Sequence, residues 1–371
     1  MKEKLLKYLI YITGALCLYI FIAIRFRVLF NAALKEPVVE GYWDKTKFGE
    51  LYYFSMIRHF REEGLPPARQ KFEHSSKHSS ISDCDILTFG DSFFEFSRHK
   101  QFSERLADDF NKNVHYVNNY TPLNYLAANG YEGRDPKLVI FERVERYIPV
   151  TFEAKHEQDY VKPAEKPAIS KAFAYVRDKI FYQGSEELYD AMLKRSYLST
   201  FMYSVISTIK FDLFRYISKL TPVYKVDGEN SWLFYHDQVN EEKTSFYYRH
   251  TQTEIDSICD NMYDLAKQLK ESYNMTVVYL PLPAKYTIYH TEINNDEYNN
   301  FLPQLYEGLD ERGVRYVKVF NEFMNHDTLL YYRTDSHWNE KGIEIAYDKM
   351  KTFLMNDSTL KKFLIADDVD K

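Results

Sequence analysis

The chain has 371 residues and a formal net charge of -6, from 48 Lys and Arg against 54 Asp and Glu. That length can bury one large α/β core or two small ones, and the slightly acidic balance excludes the basic footprint of a nucleic-acid binder. Aromatic residues make up 17%, with 33 Tyr and 27 Phe, which suits a surface that handles sugars or lies near lipid, and equally a chain encoded by an AT-rich genome.

Residues 5–24 are nearly all apolar, interrupted by Lys7, Thr13 and Gly14. A run of this length matches a bilayer span of roughly 20 residues. Lys2, Lys4 and Lys7 lie on one side, Arg25 and Arg27 on the other, so flanking charge orients the span only weakly. Ile22-Ala23-Ile24-Arg25 offers no small-x-small cleavage site, and Leu16 before Cys17 does not fit a lipobox. The expectation is an uncleaved N-terminal transmembrane anchor at 1–30, with the rest of the chain exported. Of the three cysteines, Cys17 falls in the anchor; Cys84 and Cys259 are either buried thiols or, after export, a pair. No CxxC or His cluster has metal-ligand spacing, so neither a metal nor a cofactor is expected.

Residues 31–80 read as a juxtamembrane helix and linker. Leu51, Phe54, Ile57 and Phe60 have helical spacing within 43–63, Leu65-Pro66-Pro67 ends the helix, and 74–82 is a solvated Ser/His/Lys stretch. From 81 to 150 the pattern alternates: strand 85–89, helix 93–106, strand 114–118, helix 124–129, turn 130–136, strand 137–141. Such alternation implies a parallel sheet covered on both faces. Residues 151–226 read as a helical insertion rich in Tyr, Phe and Lys, packed on the sheet or lying on a membrane or partner. The α/β pattern resumes over 227–371. It gives a strand at 232–235, a long helix at 251–273 capped near Thr253, a strand at 276–280, a helix at 298–312 ended by Gly313, a strand at 314–319 and a helix at 339–354. The fold expected is a three-layer α/β/α sandwich in two sequence parts, 81–150 and 227–371, around the insertion.

Two short motifs carry chemistry. Gly90-Asp91-Ser92-Phe93 follows the first strand, placing Ser92 on an exposed turn at a helix start, where its own N–H can meet a developing oxyanion. Asp335-Ser336-His337-Trp338 precedes the last helix. A serine hydroxyl needs a base to take its proton and a carboxylate to orient that base. Ser92, His337 and Asp335 are therefore the candidate nucleophile, base and orienting acid, with Asp91 tying the turn. Either motif alone is weak; their placement together is what counts.

These residues resemble the SGNH/GDSL superfamily of esterases and acyltransferases. The Asp-x-His-Trp form, with the strings 136–146, Trp232-Leu233-Phe234 and 280–289, is similar to the alginate O-acetyltransferase branch (AlgX and AlgJ type) and the related DHHW proteins. The resemblance omits residues 30–80 and the insertion, and its motif order is rotated: in the alginate enzymes the serine motif comes after the histidine motif. The superfamily's Gly and Asn oxyanion donors have no match; Asn119, Tyr120 or Arg143 could substitute. Lys285 could bind an anionic substrate, lie at the surface or cap a helix, and Trp338 could pack or offer a sugar platform. Glu142 and Arg146 read as an internal ion pair. The resemblance implies transfer of an acetyl group to a cell-envelope or exported polysaccharide through an acyl-serine. It also implies a membrane-bound O-acyltransferase (MBOAT) as acyl supplier and a domain on the periplasmic side of the inner membrane. The rivals are a carbohydrate esterase and a non-catalytic scaffold or glycan-binding subunit of a polymer-export complex.

Overall fold

The computed structural model describes residues 8, 10–15, 18, 48–66, 81–95, 98–118, 121–152, 176 and 197–365. The chain divides into two compact units. One comprises Met1–Lys47, Met56–His59 and Pro163–Ile217; the other comprises Phe48–Ser55, Phe60–Lys162 and Ser218–Lys371.

The second unit is built on a parallel sheet. Strands β1 (Ile86–Gly90), β2 (Val114–Asn118), β3 (Lys137–Val144), β4 (Val223–Lys225), β5 (Trp232–Phe234) and β6 (Met275–Leu282) follow one another in the chain, and β2-β1-β3-β6 pair in that order, all parallel. Every residue of β1 and β3 is buried, as expected of strands covered on both faces. Side chains alternate across the pleat. Ile86, Leu138, Ile140, Val278 and Leu280 point into one apolar layer; Leu87, Phe89, Val139, Phe141 and Val277 point into the other.

Helices supply the outer layers. The helices of this unit include α1 (Glu50–Ser55), α2 (Ser92–Glu95), α3 (Phe102–Phe110), α4 (Pro122–Ala128), α5 (Ile148–Phe152), α7 (Gln252–Tyr273), α8 (Lys285–Ile293), α9 (Phe301–Glu311), α10 (Phe320–Met324) and α11 (Glu340–Asn356), while α6 (Tyr197–Phe214) belongs to the first unit. Phe102 and Leu106 of α3 and Ile343, Ala346 and Met350 of α11 cover the first face. Ile255, Ile258 and Met262 of α7 and Leu302, Leu305 and Leu309 of α9 cover the second. Each such fully buried side chain is worth about 1.5–3 kcal/mol of transfer free energy, and that term binds the layers to the sheet.

Several expected elements differ. The strand at 232–235 does not join the parallel sheet. It pairs antiparallel with β4, and Trp232 and Phe234 pack with Phe246 and Tyr286 in a separate cluster. The strand at 314–319 reduces to one parallel bridge, Tyr279 to Tyr316, because Val319 already turns into α10. The helix at 43–63 is broken after Ser55: Met56 is left-handed at φ 51, which stops an α-helix of L-residues, and a 3₁₀ turn follows at Arg58–Phe60. The helix at 93–106 splits, because Gln101 starts a new helix through a capping box with Glu104. The long helix is capped by Thr251 with Glu254 instead of Thr253.

Of the insertion at 151–226, the described part outside β4 centres on α6 in the first unit. Among the described residues no helix is long and apolar enough to cross a membrane. The expected span at 5–24 lies largely outside the described residues.

Candidate active site

The site lies at the carboxyl ends of the strands, where open α/β sheets place their ligands. β1 ends at Gly90, and the chain turns sharply through Asp91 into Ser92, the first residue of α2. Only glycine fits at position 90: a Cβ there would stand 2.7 Å from Glu142 Oε2. Asp91 ties the turn together. Its Oδ1 accepts the Phe93 N–H at 2.9 Å, its Oδ2 accepts the Val144 N–H at 3.3 Å, and its own N–H donates to Glu142 Oε2 at 3.0 Å. The turn is thus riveted to β3, and the Ser92 hydroxyl stands half-buried above it.

The loop before α11 brings the partners. His337 Nε2 lies 2.9 Å from Ser92 Oγ, and His337 Nδ1 lies 2.6 Å from Asp335 Oδ1. Asp335 Oδ1 also accepts the His337 backbone N–H at 3.1 Å. The second oxygen, Oδ2, accepts the Glu50 N–H at 3.1 Å and has the Arg98 guanidinium 3.8 Å away. Both Asp335 and His337 are buried. This is the relay in which a carboxylate fixes the imidazole tautomer and the other ring nitrogen faces a hydroxyl.

Electrostatics support a poised base. Burial works against the imidazolium of His337, but the adjacent Asp335 carboxylate, and Glu50 beyond it, outweigh that and raise its pKa. Burial likewise works against the Asp335 carboxylate, yet His337, Arg98 and the Glu50 N–H hold its pKa well below the ordinary carboxylate value. Glu142 is pushed well above its ordinary value by burial and by neighbouring Asp91, so it serves the turn as a buried carboxyl group. Among the described residues Glu142 makes no ion pair with Arg146, contrary to the sequence expectation; its oxygen is used by Asp91. Glu50, Asp335 and His337 cluster closely enough to suggest a cation site. Both His337 nitrogens, however, already face Asp335 and Ser92, so a cation would have to displace the relay.

Comparison with known proteins adds one match. Residues 226–363 fit the family described as SGNH hydrolase-like domain, acetyltransferase AlgX. That segment is similar to SGNH hydrolase-like domains of the AlgX type. No curated protein matches the chain. The matched segment contains Lys285, Asp335 and His337; Ser92 lies ahead of it.

The remaining sequence candidates separate. Lys285 does not face a substrate. It is fully buried and donates to the carbonyls of Leu233 at 2.7 Å, Arg333 at 2.6 Å and Asp335 at 3.0 Å. Burial pushes it down to about 7, and its three donors are committed to the Arg333–His337 loop and β5. Trp338 is likewise no sugar platform: it is buried, and its Nε1–H donates to Phe93 O at 3.1 Å, joining the histidine loop to the serine turn. Arg143 lies on β3 with its guanidinium over the Phe141 ring, toward the layer packed under α7. No hydrogen bond or ion pair among the described residues joins it to Ser92 or His337. Asn119 and Tyr120 lie outside the described residues.

Two groups escaped the sequence reading, and a third, Arg146, was marked there only as the ion-pair partner of Glu142. Arg146 sits over the rings of Phe93 and Tyr147 with its Nε and Nη1 buried and without hydrogen-bond partners, beside the serine turn. Arg98 and Glu50 flank Asp335. Glu50 gave no signal in the sequence.

Proposed function

We propose that this chain is a membrane-anchored, extracytoplasmic O-acyltransferase that moves an acyl group, most simply acetyl, onto a polysaccharide hydroxyl through an acyl-serine. The observation that carries the reading is the Ser92–His337–Asp335 alignment at 2.9 and 2.6 Å, in a chain whose C-terminal segment matches an acetyltransferase family. Ser92 Oγ attacks the carbonyl carbon of the acyl donor while His337 Nε2 takes the hydroxyl proton. The tetrahedral intermediate collapses, the donor's leaving group receives that proton, and the acyl-serine remains. A sugar hydroxyl then attacks this ester, again giving its proton to His337. The new sugar ester departs and His337 returns the proton to Ser92. The Ser92 N–H at the start of α2 and the unpartnered nitrogens of Arg146 supply positive charge toward the developing oxyanion. An MBOAT-type membrane protein as acyl supplier, and the anchor at 5–24 that keeps the site near it, belong to the same proposal.

The full chain in nanodiscs, incubated with a chromogenic acetyl ester with and without acceptor oligosaccharide, tests this. Intact-mass detection should show an acetyl adduct on Ser92, absent in Ser92→Ala, and acetylated acceptor. Acetyl release to water with no acceptor product would make the protein an esterase. Wild-type protein that neither labels nor turns over would leave the scaffold reading.

A further inference from the structure

The described stretch ahead of the sheet, Phe48–Ser55 with Phe60–Glu62, sends its polar groups to one place, the loop Arg333–His337. The Leu51 and Tyr52 N–H groups donate to Thr334 O at 2.9 and 3.3 Å. Thr334 Oγ1 donates to Phe48 O at 2.7 Å. Glu62 accepts the Arg333 N–H at 3.3 Å and the Thr334 N–H at 2.8 Å, and its Oε2 lies 2.9 Å from the Thr334 hydroxyl oxygen, competing with Phe48 O for the one O–H. Gly49, at φ 93, lies so close that a Cβ would meet Thr334 O at 2.2 Å. At the end of this strap stands Glu50. Its backbone N–H holds Asp335 Oδ2, its carboxylate accepts the Ser336 hydroxyl at 2.9 Å, and that same oxygen is 3.6 Å from His337 Nδ1.

We propose that Glu50 is a positioning residue for His337, and that the strap formed by Phe48–Ser55 with Phe60–Glu62 is part of the catalytic apparatus as well as a connector. Asp335 can direct Oδ1 at the imidazole only while Oδ2 is held, and a backbone N–H on α1 does the holding. The Glu50 carboxylate adds a second negative charge on the Nδ1 side and ties down Ser336, the residue between acid and base. Lys285 grips the carbonyls of Arg333 and Asp335, so the loop is clamped from two elements. The charged groups facing His337 are Asp335 on its own loop, Glu50 on α1 and Arg146 after β3.

This inference rests on the reading of Ser92, His337 and Asp335 as a relay, and its test has one arm that needs no turnover. In Glu50→Gln the side chain keeps its length and can still meet Ser336 but has lost its charge. The His337 imidazole, followed by NMR titration in wild type and in Glu50→Gln, should titrate about one unit lower in the variant, the size expected when an opposite charge within ~4–6 Å is removed. The variant should keep the wild-type melting temperature within a few degrees. On an ester substrate kcat should fall about tenfold with KM nearly unchanged, and the acid limb should move to lower pH with the titration. Glu50→Asp, which restores charge on a shorter stem, should recover the titration midpoint. An unmoved midpoint in a folded Glu50→Gln would overturn the role. A midpoint moved in Glu50→Gln, alongside a wild type without any activity, would uphold it and overturn the proposed transferase instead.

Discussion

In the proposed mechanism Ser92 can act as a nucleophile only while His337 is neutral, so the environment of His337 sets the working pH. Asp335, backed by Glu50, raises His337 despite the cost of burial. The acid limb of kcat/KM should therefore lie above the ordinary imidazole value of ~6.5 and fall about tenfold per pH unit below its midpoint. Stability should move the opposite way. A raised histidine adds stability that is fully present below its unfolded pKa and is lost as pH rises through its folded pKa; Asp335, held low, adds stability above ~3.9 that is lost as pH falls through its folded pKa. Urea titrations in parallel with a pH–rate profile would show activity rising through the window in which the His337 contribution to stability declines. Coincident rises would sink the assignment. Ser92→Ala should cost about 10³–10⁶ in turnover with little change in melting temperature, since the hydroxyl's partner is His337 alone in that turn and Asp91 carries the fold.

At the scale of elements, the serine turn and the histidine loop are separate pieces of chain, and two side chains fix their relation. Trp338 reaches from one to the Phe93 carbonyl of the other; Lys285 at the start of α8 holds the loop from beneath. Lys285→Met leaves three buried carbonyls without their donor, at about 1–3 kcal/mol apiece before relaxation. The variant should lose about 3 kcal/mol in a denaturant titration and much of its kcat, while KM for an anionic donor stays put. A selective rise in KM would restore the substrate-binding role that the sequence suggested. Trp338→Phe keeps the ring but loses the N–H, and should cost about 1 kcal/mol and lower kcat more than KM. The sequence revealed the motifs because they are local: a buried apolar run, a turn and a polar triplet. It could not reveal that Lys285 points inward, because a lysine near a helix start reads as solvated until its acceptors, 48 to 52 residues away in either direction, are seen. Glu50 stayed hidden for the same reason, since 285 residues separate it from Asp335.

At the scale of the molecule, the alternating apolar runs of 81–150 and 227–371 specified the parallel sheet and its two covering layers, because each buried strand needs helices on both faces. The strand at 232–235 is present as β5, but a short apolar run cannot say which sheet it joins. The two described cysteines report on one of those layers. Cys84 lies just ahead of β1 and Cys259 on α7; both are buried, free and in the same apolar cluster, so the pairing considered from sequence does not occur. Burial pushes Cys84 up to about 11 and Cys259 up to about 12, and a protonated, enclosed thiol is a poor nucleophile. Neither should react with a disulfide reagent at pH 8 until the layer opens. If α7, α9 and the sheet come apart as one cooperative unit, both thiols should become labelled with the same opening free energy, read site by site by mass spectrometry across a denaturant series. Cys259 is sealed by Gly308 of α9, where an added Cβ would meet its sulfur at 2.7 Å. Gly308→Ala should therefore speed labelling of Cys259 and, through the shared layer, of Cys84. Acceleration at Cys259 alone would mean that α7 and α9 separate locally while the sheet stays closed.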